Sequence, residues 1–152
     1  MARPFVVNEY VRWGDIDLAG IICYGAYIRF FEIAEEEIFR AAGLPMKQMF
    51  DRYDLWLPRK VMHAEFFAPA VLDERLEVVT YFSRIGTTSL TINFDVFGPE
   101  RTPLHAAAHE VVVCVSRAEM RKKPLPPDVV RAIEPFTMTS EAARSAAAPP
   151  AR

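Results

Sequence analysis

Hydrophobic and polar positions along this 152-residue chain follow two different periods. From Tyr24 the apolar side chains recur at Tyr24, Tyr27, Ile28, Phe31, Ala34, Ile38 and Ala41, while Arg29, Glu32, Glu36 and Arg40 gather on another side. That is the period of an amphipathic helix. Gly43 and Pro45 stop it, so the spacing predicts one long helix from about Tyr24 to Ala42, entered through a turn at Gly20.

Elsewhere the period is two. FVVNEYVR at 5–12 reads as a first strand, and 75–85 with 88–97 read as a hairpin across Gly86-Thr87. Residues 55–67 carry Pro58, which predicts an edge strand or one that begins after the proline. The unbroken VVVCV within 104–117 predicts a central strand. Short helical segments are expected at 45–51 and 128–134. Strand, long helix, then four strands in a meander makes an α+β domain with a five-stranded antiparallel sheet, over residues 1–136. Residues 137–152 are Ala- and Pro-rich and are expected to be a flexible tail. One long helix cannot cover both faces and both edges of such a sheet, so self-association is expected.

Composition narrows the function classes. A formal net charge of −2, with 51% hydrophobic and 25% charged residues, fits an ordinary globular domain and gives no general reason to expect nucleic acid. Cys23 and Cys114 are too few for a disulfide framework and are read as reduced. The N-terminal apolar run breaks at Asn8 and Glu9, so neither a signal peptide nor a membrane anchor is expected, and the cytoplasm is the expected location. His63, His105 and His109 lie on strands, with no third ligand at useful spacing, so no metal site is expected.

The chemistry concentrates where the first strand meets the helix. Asp15-Ile-Asp17 lies just before a helix N-terminus, whose free N–H groups and partial positive charge stabilise an anion. Asp17 is either a reacting carboxylate or a turn and capping residue, and Asp15 is expected to hold the loop by accepting backbone N–H bonds. Cys23 is a rival nucleophile if a histidine serves it as base. Glu35-Glu36-Glu37 reads as a solvated helix face, and Trp56, Met62 and Phe66 as core or pocket walls.

The run Asp15-x-Asp17-x-x-Gly20-Ile21-Ile22-x-Tyr24-x-x-Tyr27-x-Arg29-Phe30-Phe31-Glu32 resembles the hotdog-fold acyl-CoA thioesterases, in particular the 4-hydroxybenzoyl-CoA thioesterase branch. It departs from their pattern at Ala26, where Asn is usual. The resemblance implies a sheet wrapped around one central helix, a homodimer joined edge to edge that assembles into a homotetramer, and active sites at the dimer interface. It puts the catalytic carboxylate on Asp17 and the oxyanion donor on the backbone N–H of Tyr24. Gly20, Cys23 and Tyr27 become expected substrate contacts, and Arg121, Lys122 and Lys123 candidates for the coenzyme A phosphates. Tyr at position 24 leans towards an aromatic acyl group. The expected substrate is an acyl-CoA, with no cofactor; the alternatives are a carrier-protein thioester and a non-catalytic acyl-CoA-binding module.

Overall fold

Strands form where the two-residue alternation is cleanest. In the computed structural model, which describes residues 2–147, β1 spans Phe5–Tyr10, β2 Leu55–Trp56, β3 Arg59–Phe66, β4 Arg75–Ile85, β5 Ser89–Phe97, β6 Leu104–Val113 and β7 Val115–Ser116. The helices are α1 Tyr27–Ala41, α2 Met46–Tyr53, α3 Pro127–Ile133 and α4 Ser140–Ala147. Five strands make an antiparallel sheet in the order β1-β4-β5-β6-β3, and β2 pairs with β7 apart from it. The fold is therefore α+β around a five-stranded antiparallel sheet. It is not a simple meander: only β4, β5 and β6 follow one another, while β3 crosses to the far edge beside β6. Pro58 separates the short β2 from β3, since it has no N–H to give a ladder.

The helix also differs from the expectation of one unbroken element. Tyr24–Ala26 is a 3-10 turn, α1 proper has 15 residues, and three further helices accompany it. Its buried face comprises Tyr27, Phe30, Phe31, Ala34, Glu35, Ile38 and Phe39. These pack on the inward side chains of the sheet, with ring centroids 5.0 Å apart for Phe31 and Phe94 and 5.5 Å for Phe39 and Phe82. Burial of each such aromatic is worth about 1.5–3 kcal/mol, so the stripe fixes how the helix lies on the sheet.

The segment expected to be a flexible tail contains α4. Its Ala143 is fully buried against Val79, Tyr81 and Phe97 on the outer face of the sheet, and Arg144 grips the buried Asp95 at 3.0 Å. Small side chains let the helix approach closely, which is why no bulky anchor marked it. Residues 148–152 lie outside the described residues.

Glu35 corrects the reading of a solvated acidic face. It is buried, and the Arg59 guanidinium bridges it to the equally buried Glu110, donating to Glu110 Oε2 at 2.9 Å. Glu110 Oε1 is left without a partner among the described residues. Burial, then the facing Glu110 carboxylate, push the Glu35 carboxyl up to about 8 against the pull of Arg59. The native protein thus holds a proton that the unfolded chain releases above its usual 4.5. This contribution to stability is complete at low pH and declines as pH rises through about 8. Glu35→Gln should flatten that decline, measured by urea unfolding at about pH 5 and about pH 8. Equal pH dependence in both proteins would contradict the assignment.

Candidate active site

The loop from β1 to α1 is built by one buried carboxylate. Asp15 accepts hydrogen bonds from the Arg12 amide at 2.7 Å and from Arg29 Nε and Nη2 at 3.1 and 2.5 Å. Arg29 also donates to the Tyr10 carbonyl at 3.1 Å, and its guanidinium lies 4.5 Å from the centre of the Phe30 ring. Burial opposes ionisation of Asp15, yet Arg29 and the Arg12 amide outweigh it and hold the carboxyl below its ordinary range. The Asp15 carbonyl in turn accepts from the Cys23 amide at 2.7 Å. One residue thereby joins the end of β1, the loop and the helix entrance.

Inside that frame the chain reverses over residues 17–20. The Asp17 amide donates to Ile21 O, the Gly20 amide returns to Asp17 O, both at 3.0 Å, and Gly20 adopts φ +77°. Asp17 itself is exposed: Oδ1 accepts the Ala19 amide at 2.8 Å, and no hydrogen bond or ion pair among the described residues engages Oδ2. At the entrance to α1 no side chain caps either the 3-10 turn or the helix, and the Tyr24 and Gly25 amides have no acceptor among the described residues. Asp17 and Tyr24 line one cavity of about 460 Å³ together with Ile21, Ile22, Tyr27, Phe66, Phe67, Ala68 and Pro69. Its depth is graded: Tyr24 is 77% exposed at the rim, Tyr27 2% at the floor. On the other side of Asp17 a second, apolar hollow is walled by Trp13, Ile16, Leu18 and Leu72.

Gly20 and Cys23 contribute to the geometry of the loop, and Phe66 and Tyr27 pack against each other in the cavity wall with ring centroids 5.3 Å apart. The basic loop is elsewhere. Lys123 donates to the carbonyls of Tyr53 and Asp54, Arg121 pairs with Glu119, and Lys122 bridges to Val115. Phe66 pairs with Ala106 near the start of β6, whereas Val115 lies beyond its end. At about 3.3 Å per residue the basic loop sits roughly 30 Å from the cavity within one chain. Trp56, stacked under Arg117, is also at that remote end, and Met62 stands half-exposed on β3. The Cys23–histidine pairing is absent from the hydrogen bonds of the described residues; His63 and His109 stack on each other at 5.2 Å instead.

Sequence reasoning missed His105 and Glu74. Leu104 pairs with Phe97 and Ala106 with Val96, so His105 is the extra residue of a β-bulge, turned out of the alternation. It is buried, with Nδ1 3.0 Å from Ala68 O and Nε2 2.8 Å from Glu74 Oε1. A carbonyl only accepts, so Nδ1 bears hydrogen and donates to Ala68 O. Glu74 Oε2 accepts the Val71 amide at 3.1 Å. The pair fastens the 67–74 segment that walls the cavity; only a bulge in the register could have announced it.

A family model of the thioesterase-like superfamily matches residues 11–133, which contain this whole arrangement. The chain belongs to that superfamily. Among thioesterase-like relatives, it is 31% identical over 120 residues to the acyl-CoA thioester hydrolase YbgC of Escherichia coli, covering 79% of this chain and 88% of that protein. It is 25% identical over 141 residues to the 1,4-dihydroxy-2-naphthoyl-CoA hydrolase of Nostoc punctiforme, covering 91% and 93%. The crystal structure of a 1,4-dihydroxy-2-naphthoyl-CoA thioesterase from Synechocystis superposes with a TM-score of 0.79 at 25% identity, covering 86% of this chain and 95% of that one.

Asp15 is the member of this thioesterase-like loop whose loss should be felt in stability. Asp15→Ala strands the Arg29 guanidinium and the Arg12 amide, which should cost about 2–4 kcal/mol in urea unfolding. A loss under about 0.5 kcal/mol, the scale of an ordinary surface substitution, would show that the loop is held otherwise.

Proposed function

We propose that this protein is a hotdog-fold acyl-CoA thioesterase, hydrolysing an aromatic acyl-CoA of the 4-hydroxybenzoyl kind to the free acid and coenzyme A. The observation that carries the reading is that the exposed Asp17 and Tyr24, whose amide is uncapped at the helix entrance, line one aromatic-walled cavity. The names of the relatives, an acyl-CoA thioester hydrolase and a dihydroxynaphthoyl-CoA hydrolase, support the same chemistry.

The substrate carbonyl accepts from the helix-entrance amides, so negative charge developing on its oxygen meets donors already in place. Asp17 either attacks the carbonyl carbon, expelling the thiolate and leaving a mixed anhydride that water cleaves, or takes a proton from a water that attacks directly. The leaving thiol has a pKa of about 8.5, so the C–S bond breaks without a strong general acid. Tyr24 and Phe66 flank the acyl group.

A second copy belongs to this reading. β3 is an edge strand on which every residue but Ala64 is exposed, including Val61, Met62 and Phe66. Two copies pairing antiparallel along β3 would bring the Arg59 end of one chain beside the Phe66 end of the other. The partner's basic loop, which includes Arg121 and Lys122, would then approach the cavity mouth where coenzyme A phosphates emerge. We take the unit to be such a dimer, assembling further into a tetramer.

The Asx bond to Ala19 also favours a second reading, in which Asp17 only shapes a turn of an acyl-CoA-binding module. Asp17→Asn separates the two, because the amide oxygen can still accept from Ala19 while the reacting carboxylate is gone. Thiol release from a panel of aromatic and aliphatic acyl-CoAs should fall by about 10²–10⁴ in this variant, with its unfolding curve unchanged. Near-wild-type turnover on the best substrate would refute the catalytic role.

A further inference from the structure

His63 and His109 stand apart from everything the cavity uses. They pair across the β3–β6 ladder, on the side of the sheet turned away from α1, and line a hollow of about 140 Å³ with Glu65, Tyr81, Asp95 and Arg144. Three of these neighbours are committed to one another: Arg144 grips both oxygens of Asp95, and the Tyr81 hydroxyl donates to the same carboxylate at 3.4 Å. Beyond their own ring contact, the imidazoles meet only the Glu65 carboxylate, 3.5 Å from His63 Nε2. Their ring centres lie 5.2 Å apart. With metal–nitrogen bonds of about 2.0–2.1 Å at tetrahedral angles, two imidazoles on one ion have ring centres roughly 5 Å apart. The pair therefore has the spacing of two ligands of one ion, and the torsion that aims the ring nitrogens is soft. Among the described residues no three such side chains of one chain gather where they could hold a metal, so a third ligand has to come from outside the chain.

We propose that His63 and His109 of one chain, with His63 of a second copy, hold a divalent transition-metal ion of the zinc class at the seam between the two chains. This rests on the dimer paired along β3 and adds to it a site outside the acyl cavity. Symmetry supplies the third imidazole. Ala64 packs on the core, so Val61, His63 and Glu65 take the opposite side of the sheet. Facing residues of an antiparallel pair share one side, and a twofold axis through the seam keeps each side to itself. With the pairing centred on β3, His63 of one chain then faces His63 or Val61 of the other, which sets the two His63 Cβ atoms about 5 Å or about 7–8 Å apart. Strands spaced about 4.8 Å carry His109, His63 and the second His63 side by side, within reach of one ion above the middle strand. Imidazole suits zinc, copper and nickel, and the Glu65 carboxylate adds negative charge beside the cation.

The test is calorimetric titration of the chelator-treated full chain with zinc alone, alongside sedimentation of the same protein with and without zinc. Binding should saturate at about one ion per two chains, and zinc should tighten the dimer by about tenfold or more. His63→Ala, which removes two of the three ligands, should weaken zinc binding by about 100-fold or more, and His109→Ala by about tenfold. Both side chains are accessible, so both variants should keep the urea unfolding curve of the wild type and still dimerise without zinc. A dimer that binds no zinc, binding unchanged in His63→Ala, or one ion per chain with no effect on association would each overturn the site and leave the β3 dimer standing. A chain that stays monomeric with and without zinc would refute the dimer reading, and the site with it. Thiol release plays no part in either readout, so the thioesterase reading is judged separately.

Discussion

The ion pair between Asp15 and Arg29 is the constraint on which the rest of the site depends. The loop of residues 11–26 between β1 and α1 has many conformations open to it, and fixing each residue costs about 1–2 kcal/mol of entropy. Here two buried carboxylate oxygens collect donors from Arg12 and Arg29, and the same residue's carbonyl takes the Cys23 amide. The chain before and after the reversal is therefore pinned to one point. Asp17 can then be left exposed with an open oxygen, because nothing in the loop needs it beyond the Ala19 bond.

The opposite wall of the cavity is held by a different device with the same logic. A bulge in β6 turns His105 towards the 67–74 segment, and its ring joins Ala68 to Glu74. Both walls thus hang from buried, hydrogen-bonded polar groups rather than from regular structure. Between them the aromatic stripe of α1 supplies a floor whose shape comes from the hydrophobic core itself. Another polar cluster, the half-exposed Arg59 between the buried Glu35 and Glu110, ties the start of β3 to α1 and β6 at the other end of the sheet. It governs stability against pH without touching the cavity.

Much of this was written in local pattern. The hairpin of β4 and β5, the edge position of β3 after Pro58, and the helix end at Gly43 follow from side-chain alternation and from backbone limits of Pro and Gly, which any window of sequence displays. The loop chemistry was legible because Asp15, Asp17, Gly20 and Tyr24 lie within ten residues, and the matched run carries through to Glu32. What was not legible depends on distant pairing. Glu35 looked solvated because its partners come from β3 and β6. His105 looked like an ordinary strand residue because a bulge is a property of two strands together. The distance of Arg121 and Lys122 from the cavity within one chain follows from the register of β6 and β7, and α4 docks through Ala143, a side chain too small to stand out from its neighbours.

The account stands on the claim that the Asp17 carboxylate and the helix-entrance amides act on the same carbonyl group. A crystal structure of the protein with 4-hydroxyphenacyl-CoA tests this most directly. The carbonyl oxygen should accept a hydrogen bond from the Tyr24 or Gly25 amide, with an Asp17 oxygen about 3–3.5 Å from the carbonyl carbon or joined to it through one water. A ligand whose carbonyl lies outside the Asp17–Tyr24 cavity, or is turned away from both groups, would contradict it.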